Sequence, residues 1–228
     1  MKTGTMEGIE NLFTYLLETR LRPDAYSSLR NIAATFKNTG DLKPLNRVFA
    51  QVPRYASKDL LGGEDKAIQE ISVLIPGYEL GDWTIETLCR VWLLQQLPAG
   101  DQDNYVKTVD TLFVGAELQE LVALYKALPL LQYPTYWVGR CEDGIRSNMG
   151  NVLEAIMYHN PYPRQYLSEA AWNQMVLKAF FTDKDVLRIN GLQERLNPAL
   201  QATLSDYVQE RLAAGRSVNP EIYKLIEV

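Results

Sequence analysis

The sequence is poor in the residues that build most metal and thiol sites. Its 228 residues include one histidine, His159, and two cysteines, Cys89 and Cys141. Zinc sites with two or three imidazoles, such as the H-E-x-x-H motif, are therefore excluded, and so is a Cys-x-x-Cys pair. Two cysteines are also too few for a disulfide scaffold, which indicates reduced thiols and a cytoplasmic protein. We expect no metal and no other cofactor.

Nucleotide-binding loops, long apolar runs and basic clusters are missing as well. The glycines are scattered and form neither a Walker loop nor a G-x-G-x-x-G motif. No stretch approaches the roughly 20 apolar residues of a membrane span, and the first residues do not resemble a signal peptide. The net charge is −5. Because phosphate binding needs a basic face, we expect no nucleic acid partner.

Helical periodicity is what the sequence has in abundance. Apolar residues recur at i, i+3, i+4 and i+7 in segments such as 9–16, 29–36 and 118–128, and no run alternates with a period of two. The pattern predicts an all-α fold of about ten helices. Short loops favour antiparallel helix pairs, stacked into a right-handed HEAT-like or irregular α-α superhelix. We interpret residues 1–228 as a single domain.

Two consecutive helices concentrate the polar residues. The sequence predicts a long helix from residue 139 to 159, a proline elbow at 160–163, and a second helix to 181. On the first helix, at about 100° per residue, Met149, Val152 and Ile156 lie on the apolar face. Because a short elbow makes consecutive helices antiparallel neighbours, side chains at the borders of the two apolar faces should meet.

The side chains predicted to converge are Arg146 and Asn148 from the first helix and Glu169 and Asn173 from the second. They either satisfy one another, as most buried polar groups do, or line the polar end of a ligand pocket. Nearby aromatic residues either pack the core or hold a flat metabolite. The ligand-binding candidates are Arg146, Asn148, Glu169, Trp172, Asn173, Tyr162 and Tyr166.

Two other groups of residues have plainer interpretations. Segment 130–138, LLQYPTYWV, is predicted to be a packed connector, and Glu7 and Glu10 are expected to lie on a solvated helix face. A Cys141–His159 dyad is excluded if the predicted helix is unbroken. The two residues then lie about 27 Å apart. Cys141 is interpreted as a core residue and His159 as a residue at the helix end.

The carboxyl-terminal half carries strings that resemble the EboA family. They are IRSNM (145–149), NPYP (160–163), YLSEAAWNQMVLKAFF (166–181), NPAL (197–200), DYVQERLAAGR (206–216) and NPEIYKLI (219–226). The family more often has tryptophan where this chain has Leu212 and Tyr223, which implies different packing of the last helices. We interpret residues 1–100 as divergent amino-terminal helices and 101–228 as the EboA-like half.

The resemblance implies a cytoplasmic protein of a bacterial or cyanobacterial operon that helps to move a secondary-metabolite precursor towards the periplasm. It implies partners among the other Ebo operon proteins and a small aromatic metabolite or prenylated precursor as ligand. It assigns no catalytic residue.

Three functional hypotheses follow. The first is a non-catalytic binding or scaffold protein for a metabolite. The second is an enzyme that acts on a small anionic or aromatic metabolite, with Glu169 as proton donor or acceptor and Arg146 holding an anionic group. The third is a helical scaffold that binds another protein.

Overall fold

The structure, a computed structural model, describes residues 3–40 and 42–226. These residues form thirteen α-helices and no strand, which confirms the all-α class. The helices are α1 (Thr3–Arg20), α2 (Pro23–Thr39), α3 (Leu45–Gln51), α4 (Lys66–Leu74), α5 (Ile85–Gln95), α6 (Gln102–Gly115), α7 (Leu118–Lys126), α8 (Val138–Arg146), α9 (Gly150–Met157), α10 (Tyr162–Tyr166), α11 (Glu169–Phe181), α12 (Pro198–Ala213) and α13 (Tyr223–Ile226). Three of them have seven residues or fewer.

The core is organised around α5 and α7. Helix α7 packs against both α5 and α9, and α5 packs on α1. Their buried apolar side chains belong to one cluster that extends from Ile9 to Leu225. The single-domain interpretation stays a prediction, and its ends at residues 1 and 228 lie outside the described part of the chain. The HEAT-like superhelix also stays a prediction.

Helix ends follow local capping chemistry. Helix α12 begins after Asn197, whose side chain accepts a hydrogen bond from the Leu200 amide at 2.9 Å, as the Asn-Pro pair predicts. Asp82, a potential capping residue in the sequence, does not cap the helix that follows it. Helix α5 is capped by Thr84, and Asp82 instead forms ion pairs with Lys126 at 3.1 Å and Arg188 at 2.7 Å.

The predicted long helix from residue 139 is two helices. Helix α8 ends at Arg146 and α9 begins at Gly150. The Lys178 ammonium on α11 donates to the carbonyl oxygens of Ile145 and Ser147 at 2.7 and 2.6 Å. These bonds satisfy acceptors that an unbroken helix would have used internally. Met149, predicted on the apolar face, lies in the break and is 43% exposed.

Gly144 allows α8 to approach its neighbours. A Cβ atom on Gly144 would lie 2.5 Å from Ile156 Cδ1 and 2.6 Å from Tyr125 Cζ. We therefore expect Gly144→Ala to lower the free energy of unfolding by about 1–3 kcal/mol through overpacking, as measured by urea denaturation.

Gly139 on the same helix provides a matched control. A Cβ there meets nothing within 4 Å, so Gly139→Ala should be neutral or stabilising through helix propensity. Equal stability of the two variants would contradict the packing argument.

Candidate functional site

The predicted polar cluster between the two helices is not formed. The Arg146 side chain is 61% exposed and forms ion pairs with Asp143 and Glu142 of its own helix. Asn148 and Glu169 are exposed. No described hydrogen bond joins any two of the four predicted residues, so the expected convergence is wrong. The break between α8 and α9 removes the regular helical geometry on which it depended.

Asn173 and Trp172 hold α11 against the segment before α12. The Asn173 side-chain amide exchanges two hydrogen bonds with Asn197, at 3.1 and 2.9 Å. Trp172 is fully buried, and the Arg195 guanidinium carbon lies 4.8 Å from its ring centroid. Both contacts are explained by helix packing.

A shallow cavity of about 190 Å³ does lie between Arg146 and the first turn of α11. Ser168 and Gln174 line it, whereas Glu169 does not. Because Glu169 is exposed, the apolar wall required by the catalytic hypothesis is missing around it.

The proline elbow lies next to a cavity that is large enough for a small ligand. Asn160 fixes the elbow, as its Nδ2 donates to the Tyr125 and Ala155 carbonyls, both at 3.0 Å. The Asn160 Oδ1 accepts the Tyr162 amide at 3.0 Å. The buried Tyr162 ring lies 4.8 Å, centroid to centroid, from the Tyr166 ring. Tyr166 in turn lines a cavity beneath α1.

This cavity is one of two adjoining chambers that we call together the α1 groove. The Gln95 chamber has a volume of about 210 Å³ and the Tyr166 chamber about 230 Å³, and Met6 and Gln132 line both. The other residues of the Gln95 chamber are Glu7, Glu10, Leu94, Gln95, Leu97, Ala99, Tyr105 and Leu130. The other residues of the Tyr166 chamber are Leu74, Ile75, Pro76, Pro129, Leu131, Pro134, Gln165 and Tyr166.

Gln95 is the unusual side chain of the groove. Its amide oxygen and nitrogen are both buried, and neither has a hydrogen-bond partner among the described residues. The next residue, Gln96, donates its amide to the Trp92 carbonyl at 3.2 Å. A buried polar group without a partner costs about 1–3 kcal/mol. A ligand with a donor and an acceptor, or ordered water, would remove that penalty at Gln95.

The floor of the groove is a fixed segment after α7. The Tyr105 hydroxyl accepts the Gln132 amide at 3.2 Å, and Tyr133 donates its hydroxyl to the Ala99 carbonyl. Burial raises the pKa of Tyr105 to about 12, so this hydroxyl stays protonated at neutral pH. Tyr133 has a left-handed backbone, with φ of 56°. Such strain in a non-glycine residue persists only where the surroundings impose it.

Apart from Tyr166, the residues that line the groove are not among the ligand-binding candidates predicted from the sequence. Segment 130–138 was interpreted as a packed connector only, and Gln95 was not singled out. Glu10, expected on a solvated face, is half-buried and accepts a hydrogen bond from Lys37 at 2.7 Å. The available signal was a pair of glutamines, at 95 and 96, directly after the apolar run 91–94 at the end of α5.

Cys141 and His159 do not form a nucleophilic pair, although the helix between them is broken. Cys141 is fully buried, and burial raises the pKa of its thiol well above the ordinary range. Both His159 nitrogens are engaged, since Nε2 accepts from Arg188 at 3.0 Å and Nδ1 lies 3.2 Å from Glu79. His159 thus links neighbouring segments at the end of α9.

Comparison with known proteins identifies the family. The family model described as metabolite traffic protein EboA matches residues 9–227. The chain belongs to the EboA family. The match to the EboA model includes most of the first hundred residues. A search of curated proteins and a search of solved structures gave no significant match.

In the described part of this chain, no helix has the length and apolarity needed to cross a membrane. Within the same residues, no cluster of three or more His, Cys, Asp or Glu side chains is arranged to hold a metal ion.

Proposed function

We propose that this chain is a non-catalytic binding protein that holds a small metabolite in the α1 groove and passes it on. The observation that carries the proposal is the Gln95 amide, whose two polar atoms are buried without a partner among the described residues. Apolar walls with a few polar groups are the usual construction of small-molecule sites. Membership of a metabolite traffic family agrees with such a role.

The family resemblance supports a proposal for the location and direction of this traffic. We propose a cytoplasmic protein that delivers a secondary-metabolite precursor towards the periplasm, together with other Ebo operon proteins. An aromatic or prenylated precursor fits the Tyr166 chamber, because Tyr166 and three prolines, Pro76, Pro129 and Pro134, line it. We assign the groove a holding role.

Replacement of Gln95 by leucine tests the proposal. The purified chain is titrated by calorimetry with extracts and fractions that contain the metabolites of its operon. We expect Gln95→Leu to weaken binding at least tenfold, because both hydrogen-bonding atoms are lost while an apolar side chain of comparable size remains. A tenfold loss corresponds to about 1.4 kcal/mol.

Gln174→Leu is the matched control, because it makes the same substitution in the cavity beside Arg146. We expect unchanged binding in this variant. A loss of binding in Gln174→Leu with none in Gln95→Leu would move the site to the Arg146 cavity and overturn the proposal. Conversion of the ligand to a new product would instead favour the enzyme hypothesis.

A further inference from the structure

The charge distribution of the α1 groove restricts what it can hold. Of the described residues that line the two chambers, none is Lys, Arg or His, and two are acidic, Glu7 and Glu10. The Glu10 carboxylate forms an ion pair with Lys37 at 2.7 Å. Glu7 is exposed at the rim, so the described lining at the Gln95 end of the groove has a negative side chain and no cation.

The structure assigns a chemical class to the ligand, which is defined by its polar end. That end is either an uncharged group with a hydrogen-bond donor and an acceptor side by side, such as a carboxamide or lactam, or a cationic group such as an ammonium. This inference rests on the function proposed for the groove. It excludes carboxylates, phosphates and sulfates from the Gln95 chamber.

The Gln95 amide explains the preference for paired groups. Its nitrogen donates and its oxygen accepts, so a carboxamide satisfies both atoms at once. A carboxylate offers acceptors alone, which would leave the Gln95 oxygen without a donor. A carboxylate would also be buried without a cation, which is strongly unfavourable. An ammonium group can donate to Gln95 and is attracted by Glu7.

The Tyr166 chamber restricts the remaining part of the ligand, beyond its polar end. Its walls are Leu74, Leu131, three prolines and the ring of Tyr166, with Gln165 at the edge. Such walls favour a flat apolar group, because aromatic rings contribute large buried area with specific ring contacts. Met6 lines both chambers, and its adaptable side chain can accommodate a ligand that extends from Gln95 to Tyr166.

Matched compounds test the inference directly. The probes are benzamide, benzoate and benzylamine, and 2-naphthamide, 2-naphthoate and 2-naphthylmethylamine, so that only the polar end changes within a set. Binding is followed by calorimetry and by the side-chain ¹H–¹⁵N signals of Gln95, which are assigned by their loss in Gln95→Leu. We expect the amide and the amine to shift these signals and to bind at least tenfold more tightly than the carboxylate.

Glu7→Gln should strengthen carboxylate binding severalfold relative to amide binding. Glu64→Gln, at an exposed position outside the groove lining, makes the same change in net charge and should alter neither.

The outcomes separate the two proposals. Carboxylates that shift the Gln95 signals and bind as tightly as the amides would overturn the ligand class and leave the binding function standing. If no probe shifts the Gln95 signals up to millimolar concentration, the groove is not the site and both proposals fail.

Discussion

Replacing Arg90 by alanine is expected to lower the free energy of unfolding by about 3–5 kcal/mol. The Arg90 and Glu86 side chains of α5 are only 3% and 6% exposed, with Nη1 and Oε2 3.4 Å apart. The Arg90 Nε also donates to the Phe49 carbonyl of α3 at 3.2 Å. Removing the guanidinium leaves a buried carboxylate and a buried carbonyl without partners. Urea denaturation followed by circular dichroism measures the effect.

The size of this effect reflects the loss of one partner of a buried ion pair. The double substitution Glu86→Leu/Arg90→Met removes both charges and keeps similar volumes, so it should recover most of the lost stability. Arg47→Ala, at an exposed position of α3, should change stability by less than about 0.5 kcal/mol. An Arg90→Ala loss below about 1 kcal/mol would show that this pair is hydrated in solution.

Local signals in the sequence predicted the fold class and the chain reversals. Apolar periodicity identified the helices, and Asn197 with Pro198 predicted the start of α12. A chain reversal at 160–163 was predicted from proline's inability to continue a helix, but Tyr162 and Pro163 already belong to α10, and the predicted second helix is divided into α10 and α11. These features depend on residues close together in sequence, which is why they can be predicted without the tertiary structure.

The break between α8 and α9 shows where local signals were outweighed. Apolar periodicity continues through Ile145, Val152 and Ile156, and it favoured one helix. Ser147, Asn148 and Gly150 are weak helix formers, but the contact that stabilises the break comes from Lys178, on another helix. Such a contact between distant parts of the chain cannot be deduced from the segment itself.

The groove could not be predicted from local sequence patterns, for the same reason. Gln95, Met6 and Tyr166 come from α5, α1 and α10, and Met6 lines both chambers only once α1 packs on α5. Tyr166 is a binding candidate predicted from the sequence, because aromatic residues gather at the elbow, and it does line the groove. Sequence analysis gave no reason to connect that elbow with the first turn of α1, and whether these residues bind a ligand stays a prediction.

Asn160→Asp is the second change with a large expected effect, about 3–5 kcal/mol of lost stability. Asn160 is 2% exposed, and its Nδ2 donates to the carbonyls of Tyr125 and Ala155. An aspartate would place an acceptor-only group against two carbonyl oxygens and would bury a charge. Thermal and urea unfolding measure the loss. Asn151→Asp, exposed on α9, makes the same change in charge and should be nearly neutral.

The same substitution tests whether the elbow supports the groove. Asn160 Oδ1 accepts a hydrogen bond from the amide of Tyr162, the first residue of α10, at 3.0 Å. Helix α10 also contains Tyr166, which lines the Tyr166 chamber. If Asn160→Asp still folds at low temperature, ligands that reach Tyr166 should bind more weakly, whereas the small benzamide at Gln95 should bind as before. The Gln95 chamber has no residue of α10 in its lining. Equal weakening of both kinds of ligand would therefore mean that the two chambers respond as one unit and that the elbow supports the whole groove.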